Sequence, residues 1–250
     1  MRSTEEWRAR ARRDPLHAVA AHPGTEGNRW DKEEFYALGR SDWADFRTQW
    51  QQYAEPLSGT CVEIGCGAGR ITHALCLDFD KVIGLDVSED MIDLARQVAN
   101  AEYHVVEDAS IPLSNGSADA VFTCHVLQHF ESLGDVVSAL RESHRVLRDG
   151  GTIMAHLLVV QSSRSRFRSV IREGRYQLAV RMHGGQGITV ARRYHTKAVR
   201  DMFEAAGFKD VQMREFRVTS NGDPHAFWFG RHEDMAADGH RRSFPHEPPS

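Results

Sequence analysis

Gly65, Gly67 and Gly69 stand at alternate positions between the apolar run Cys61 to Ile64 and a helical segment, with Glu63 just ahead of them. Bare backbone at alternate positions is what a turn needs where a ligand must approach the main chain closely. A helix N-terminus behind such a turn favours anions, so a dinucleotide pyrophosphate is one reading. The spacing argues against it, because G-x-G-x-x-G counted from Gly65 requires glycine where the chain has Arg70. Glu63 is also a poor neighbour for a pyrophosphate, and suits a cofactor with a cationic centre and no phosphate.

Two further acids follow short apolar runs. Asp86 closes Val82 to Leu85 and is placed to accept hydrogen bonds from both ribose hydroxyls of a nucleoside. Asp108, after Val105 and Val106, can accept from an exocyclic adenine amine, with the Ala109 backbone available to a ring nitrogen. Each residue has a plainer reading: the glycines as a tight turn, Asp86 as a helix cap, Asp108 as a solvated loop acid and Cys66 as a passive small residue. Their occurrence in order favours the ligand reading.

His125 and His129 follow the run Asp119 to Cys124. A histidine titrating near neutral pH could take the proton that a hydroxyl or ammonium loses when it acts as a nucleophile. His129 is the candidate for that role, with loop anchoring as its alternative, and His125 reads as a cofactor or pocket wall. The i, i+4 spacing of the two also invites a metal. No nearby acid completes an H-E-x-x-H pattern, and no metal is expected.

These residues need a scaffold, and the periodicity supplies one. Short apolar runs (Cys61 to Ile64, Lys81 to Leu85, Tyr103 to Val106, Ala120 to Cys124, Thr152 to Val160) alternate with helical segments at Arg70 to Leu77, Ser88 to Asn100 and Ser132 to Leu147. Strands alternating with helices imply a parallel sheet covered on both faces. Ser88 and Ser132 read as N-caps, and Gly150 with Gly151 as the stop after the third helix. A further helix over His195 to Ala206 precedes strands at Phe208 to Val218 and Ala226 to Phe229. Asp31 to Ala54 carries Phe35, Leu38, Trp43, Phe46, Trp50 and Tyr53 at helical spacing, whereas residues 1–30 are polar and broken by Pro15, Pro23 and Gly24.

From Leu57 to Phe229 the chain resembles the class I S-adenosylmethionine-dependent methyltransferases, in the small-molecule branch similar to the ubiquinone and menaquinone biosynthetic enzymes. Carrying the resemblance are Glu63-x-Gly65-x-Gly67-x-Gly69, Asp86, Asp108, the segment Asp119 to Phe130, and Arg145-Val146-Leu147-Arg148-Asp149-Gly150-Gly151. It implies a Rossmann-like α/β fold, a seven-stranded, mostly parallel sheet whose last strand is antiparallel. It also implies S-adenosylmethionine as cofactor, with contacts at Glu63, Gly65, Cys66, Gly67, Gly69, Asp86, Val87, Asp108, Ala109, Cys124 and His125. His129 matches a histidine common at this place in the family. In the family the aromatic N-terminal stretch sits as a cap over the substrate mouth, with Tyr36 the residue placed near the ligands.

The expected organisation is a tail and helical cap over residues 1–56, a catalytic domain over 57–231 with an inserted substrate lid at 159–194, and a disordered tail over 232–250. The insertion holds eight arginines, Arg172 and Arg175 among them, against the single acid Glu173. Arginine suits bidentate carboxylate or phosphate binding, so an acidic acceptor is one reading and a solvated face the other. The whole chain of 250 residues carries a net charge of −4, which disfavours nucleic acid as a partner. The absence of an N-P-P-Y or D-P-P-Y segment after the fourth strand disfavours an RNA or protein methyltransferase. Arg70 and Glu63 disfavour a nicotinamide-dependent oxidoreductase, while a module that holds the cofactor without transferring from it remains a rival. No apolar run approaches the ~20 residues of a transmembrane helix, the N-terminus has no apolar signal core, and four cysteines without a C-x-x-C pair read as reduced thiols. A soluble, cytoplasmic protein is the expectation.

Overall fold

The computed structural model describes residues 2–54, 57–159, 191–220, 222 and 224–233. Seven strands form one sheet: β1 (Thr60–Ile64), β2 (Lys81–Asp86), β3 (Glu102–Val105), β4 (Ala118–Thr123), β5 (Leu147–His156), β6 (Lys209–Arg217) and β7 (Pro224–Arg231), in the order β3-β2-β1-β4-β5-β7-β6. β7 runs antiparallel to both its neighbours, and the other neighbouring pairs are parallel. This is the Rossmann-like α/β sheet that the resemblance implies, and its parallel part is the one expected from the alternation of runs. The strand order reverses between β1 and β4, and that switch point is where open α/β sheets bind ligands, at the carboxyl ends of their strands.

Helices cover both faces. On one face α6 (Leu133–Val146) and α7 (Thr196–Ala205) bury Val136, Leu140, Val199 and Phe203 against Val62, Val121, Ile153 and Trp228. The opposite face carries α3 (Lys32–Gln51), the short α4 (Thr72–Leu75) and α5 (Glu89–Ala95). The caps are those the sequence signals: Ser88 Oγ accepts from Met91 N, and Ser132 with Asp135 closes a reciprocal capping box. β5 begins earlier than the apolar run, because Leu147 pairs with Ala118 of β4 before an irregularity, after which pairing resumes between Thr152 and Ala120.

The aromatic helix α3 does not cap a mouth. Its stripe of Trp43, Phe46 and Trp50 lies on the sheet, where Phe122 and Phe227 meet it at ring-centroid distances of 4.7 to 6.1 Å, and Trp50 Nε1 donates to Thr152 Oγ1 at 3.1 Å. Burying a large apolar side chain contributes roughly 1.5–3 kcal/mol, so matching aromatics on helix and strands outweigh any cap position. The cover over the switch point comes from residues read as a polar tail. α1 (Arg2–Arg13) and α2 (Pro15–Val19) pack Ala11, Leu16 and Val19 against Phe35, Ala68 and Met91, and Arg8 Nε donates to the carbonyl of Val87 at 2.8 Å.

α3 also rests directly on the chain after the glycine turn. A Cβ at Gly39 would lie 2.1 Å from the Arg70 carbonyl oxygen. Helix propensity alone favours alanine over glycine by ~0.8–1 kcal/mol, but a collision with fixed backbone reverses the sign. Gly39→Ala is expected to destabilise the protein by about 1–3 kcal/mol, read as a lower denaturation midpoint. A midpoint raised by the substitution would mean that α3 is not seated there.

Candidate active site

Above the switch point lies a cavity of about 530 Å³, within the ~300–1,000 Å³ typical of small-molecule sites. Its floor is made by strand ends and the turns after them: Gly65 and Gly67 after β1, Asp86 and Val87 after β2, Asp108 and Ala109 after β3, and Cys124, His125 and His129 after β4. Its roof is Thr4 and Trp7 of α1 with Ala18 and Val19 of α2. Sequence reasoning missed that roof, and the only signal was Trp7, a lone aromatic among arginines.

The glycine turn is held in backbone conformations that L side chains rarely adopt, with φ of +73° at Gly65 and +52° at Gly67. A Cβ at Gly65 would strike Val126 Cγ2 at 2.2 Å, and one at Gly67 would meet Val19 Cγ2 at 2.8 Å. These two glycines therefore keep the cavity floor flat. Gly69, at φ +80°, has another purpose: a Cβ there would sit 3.2 Å from Ala95 Cα, so it allows α5 to approach. It does not line the cavity. Neither does Cys66, a buried thiol packed with Ile92, Ala95 and Tyr103 under α5. Tyr36 also lies outside the lining, its hydroxyl donating to the Ala68 carbonyl at 3.0 Å, which braces the turn from behind. Arg172 and Arg175 fall outside the described residues, as does most of the arginine-rich insertion.

Asp86 is the best-defined acid of the site. Its carboxylate accepts from Gly67 N at 2.9 Å through Oδ2 and from Ser88 N at 2.9 Å through Oδ1, and it lines the cavity. Burial raises its pKa, while the amides of Ser88, Gly67 and Val87 pull it down. A carboxylate has about four acceptor sites, so two remain for a pair of hydroxyls. Asp108 is exposed on the opposite rim, its carboxyl held below the usual range by the Ser110 side chain and amide, and its Oδ1 accepts from Ser110 N at 2.8 Å.

Glu63 departs from its expected role. It is buried behind the turn, away from the cavity lining, and accepts from Thr72 Oγ1 at 2.5 Å. Desolvation pushes its pKa up to about 8, opposed by the Thr72 hydrogen bond and Arg70 and assisted by Asp86. Burial therefore favours the protonated form of Glu63 and sets it apart from the acids that line the cavity. An acid whose folded pKa lies above its unfolded value of 4.5 contributes stability that is complete below pH ~4.5 and is lost as pH rises to about 8. Glu63→Gln keeps an acceptor for Thr72 and cannot ionise. It should remove a fall of up to about 1.4 kcal/mol per pH unit across that window, seen as a flatter Tm against pH between pH 5 and pH 8. Parallel profiles for the two proteins would place the proton elsewhere.

The two histidines do not share a helical face. His125 takes a positive φ of +61°, and a single 3-10 turn, Leu127–His129, follows it. His129 lines the cavity with its ring 5.1 Å from that of Trp7, edge to face. The Gln128 amide nitrogen lies 3.2 Å from His129 Nε2; assigned as the donor, it leaves the ring proton on Nδ1. The His125 ring is open to the cavity yet walled in by protein. Desolvation first, then His225, Arg70 and His129, hold its pKa below the ordinary imidazole range. Arg192, the described end of the insertion, donates through its amide to the Gln128 carbonyl at 2.8 Å and through its guanidinium to the carbonyls of Phe130 and Glu131. It clamps the histidine loop.

The sheet, the glycine turn and the acid after β2 together define a Rossmann-like nucleoside-cofactor domain. More particularly, residues 62–155 match the methyltransferase domain family. Over 94 residues, 37% of this chain, it is 36% identical to malonyl-[acyl-carrier protein] O-methyltransferase of Yersinia pestis. Over 135 residues, 51% of the chain, it is 29% identical to tRNA (carboxymethyluridine(34)-5-O)-methyltransferase of Macaca fascicularis. The matched stretches span 34% and 19% of those relatives' own lengths, so the likeness covers a domain and not their whole chains. A crystal structure of an S-adenosylmethionine-dependent methyltransferase from Thermotoga maritima shares the fold with a TM-score of 0.57 at 18% identity, over 80% of this chain and 94% of that one.

Proposed function

We propose that the protein transfers a methyl group from S-adenosylmethionine to an oxygen or nitrogen of a small-molecule acceptor. The observation that carries this reading is the Asp86 carboxylate, oriented by the Gly67 and Ser88 amides at the floor of a cavity whose glycine turn leaves backbone bare. The residues fit the cofactor. Asp86 would take the ribose hydroxyls, Asp108 and Ala109 the adenine edge, and Gly65 and Gly67 the close approach of the cofactor to the main chain. When bound, S-adenosylmethionine supplies a methyl carbon activated by its sulfonium. Much of the acceleration in such a displacement comes from alignment, and the α1–α2 roof with the clamped histidine loop restricts the volume in which an acceptor can lie. His129 is assigned the proton of the acceptor, because it lines the cavity beyond β4 beneath Trp7.

Two relatives support oxygen as the accepting atom, since both are named for O-methylation. The arginine-rich insertion supports an acidic acceptor, and Arg172 with Arg175 are proposed to meet it. A Coulomb contribution is screened over a Debye length of ~8 Å at physiological ionic strength. Acceptor affinity should then fall as salt rises, and Arg172→Gln with Arg175→Gln should flatten that dependence while S-adenosylhomocysteine affinity stays constant. An unchanged salt response would return these arginines to a solvated surface. The reading as a whole is tested by calorimetry with S-adenosylhomocysteine and with NAD, followed by labelled-methyl turnover in a metabolite extract. Binding of the first and transfer of label are expected. Binding without any labelled product would make the protein a cofactor-holding module, and binding of NAD alone would overturn the assignment.

A further inference from the structure

We propose that Cys124, His125, His156 and His225 form a binding site for a divalent metal ion of the zinc class, set in the wall between the cofactor cavity and the aromatic core. One donor atom from each of the four lies within 4.8 Å of the others. Their imidazole centroids are 4.3 Å apart for His125 and His156, and 5.1 Å for each of the other two pairs. Three of the four arrive by strand register. Cys124 continues the pleat of Phe122, His156 that of Met154, and His225 that of Phe227, so all three project from the α3 face of the sheet at the same edge. Thr123 pairs with Ala155 and His156 with Phe227, which aligns the ends of β4, β5 and β7. His125, at its positive φ, turns sideways and brings the fourth ring onto the other two.

A second observation points to a ligand at this place. His156 is 1% exposed, and neither of its ring nitrogens has a hydrogen-bond partner. A buried imidazole is nearly always satisfied on at least one side, and a metal bond on one nitrogen would satisfy it. The donor set is one thiol and three imidazoles, which selects zinc-class metals over calcium or magnesium, whose ligands are oxygens. Bonds of ~2.0–2.3 Å in a tetrahedral shell put donors about 3.3–3.6 Å apart, so the group must close by about one ångström. His125, open to the cavity, has the room to do so. The neighbouring Arg70 guanidinium does not oppose a cation strongly, since Asp42 neutralises it at 2.5 Å. Binding would form one metal–sulfur and three metal–nitrogen bonds, with the Cys124 proton released to solvent.

The test reads the metal and not methyl transfer, so it stands apart from the proposed activity. The full chain, purified without chelator and dialysed, should retain about one equivalent of zinc. After stripping, added Co²⁺ should give the visible absorption of a tetrahedral site together with a thiolate charge-transfer band. Cys124→Ser should abolish that band, and His156→Asn should lower zinc affinity at least about tenfold, measured by competition with a chromophoric chelator. Circular dichroism checks that each variant is folded, and the Co²⁺ spectrum of the unaltered chain needs no variant at all. No retained zinc together with no cobalt spectrum would overturn the proposal. So would zinc held equally well by the unaltered chain and both folded variants.

Discussion

His129→Ala is expected to lower methyl transfer by about 10²–10⁴-fold, the usual contribution of a general base, while S-adenosylhomocysteine binds within about twofold of its original affinity. The geometry separates the two readouts. The cofactor contacts assigned to Asp86, Asp108 and the glycine turn lie on strand ends β1 to β3, whereas His129 sits beyond β4 beneath Trp7. As the Gln128 amide is assigned, it donates to Nε2, so an acceptor hydroxyl has to displace that amide before it can give up its proton there. Gln128→Ala should therefore leave the histidine in place and change the pH profile of turnover, a response that an anchoring role alone would not produce. Should His129→Ala lose folded protein in proportion to activity at every pH, the ring anchors the loop and another group takes the proton.

The parts of this protein that were readable in the sequence are those set by local rules. Strand positions followed from apolar runs, and the Ser88 and Ser132 caps from residue type alone. Asp86 was legible because the end of a strand before a helix fixes where a side chain points. The surroundings of Glu63 were not legible: its position in sequence is right for a ligand contact, but the pleat of β1 turns it toward Thr72 and away from the cavity lining. The α1–α2 roof was hidden because its apolar side is made of Ala11, Leu16 and Val19 among many arginines, too little to show helical periodicity. The Cys124, His125, His156 and His225 cluster could not be seen at all. Its members are separated by up to about one hundred residues, and only the antiparallel return of β7 beside β5 brings His225 to the others. Pairing of strands far apart in the chain depends on register, which a single sequence specifies weakly.

Asp86→Ala should weaken S-adenosylhomocysteine binding by about 10- to 150-fold, and by more than Asp108→Ala does. A hydrogen bond to a charged acceptor contributes about 1.5–3 kcal/mol net, against about 0.5–1.5 for a neutral pair, and each 1.4 kcal/mol is tenfold in affinity. Asp86 is enclosed, so little water competes for its oxygens, whereas Asp108 is exposed and its place at the adenine edge is shared with the Ala109 backbone. The alanine variant also loses the acceptor for the Gly67 and Ser88 amides, which lets the glycine turn relax and adds to the loss. Asp86→Asn distinguishes the two contributions. Its single carbonyl oxygen can hold one amide but not both, and its nitrogen donates where a ribose hydroxyl needs an acceptor only if that hydroxyl reverses its own role. Affinity between those of the original and the alanine variant is therefore expected, with folding nearly unchanged. Calorimetry that places Asp108→Ala below Asp86→Ala would move the ribose to the other rim of the cavity and reverse the orientation assigned to the cofactor.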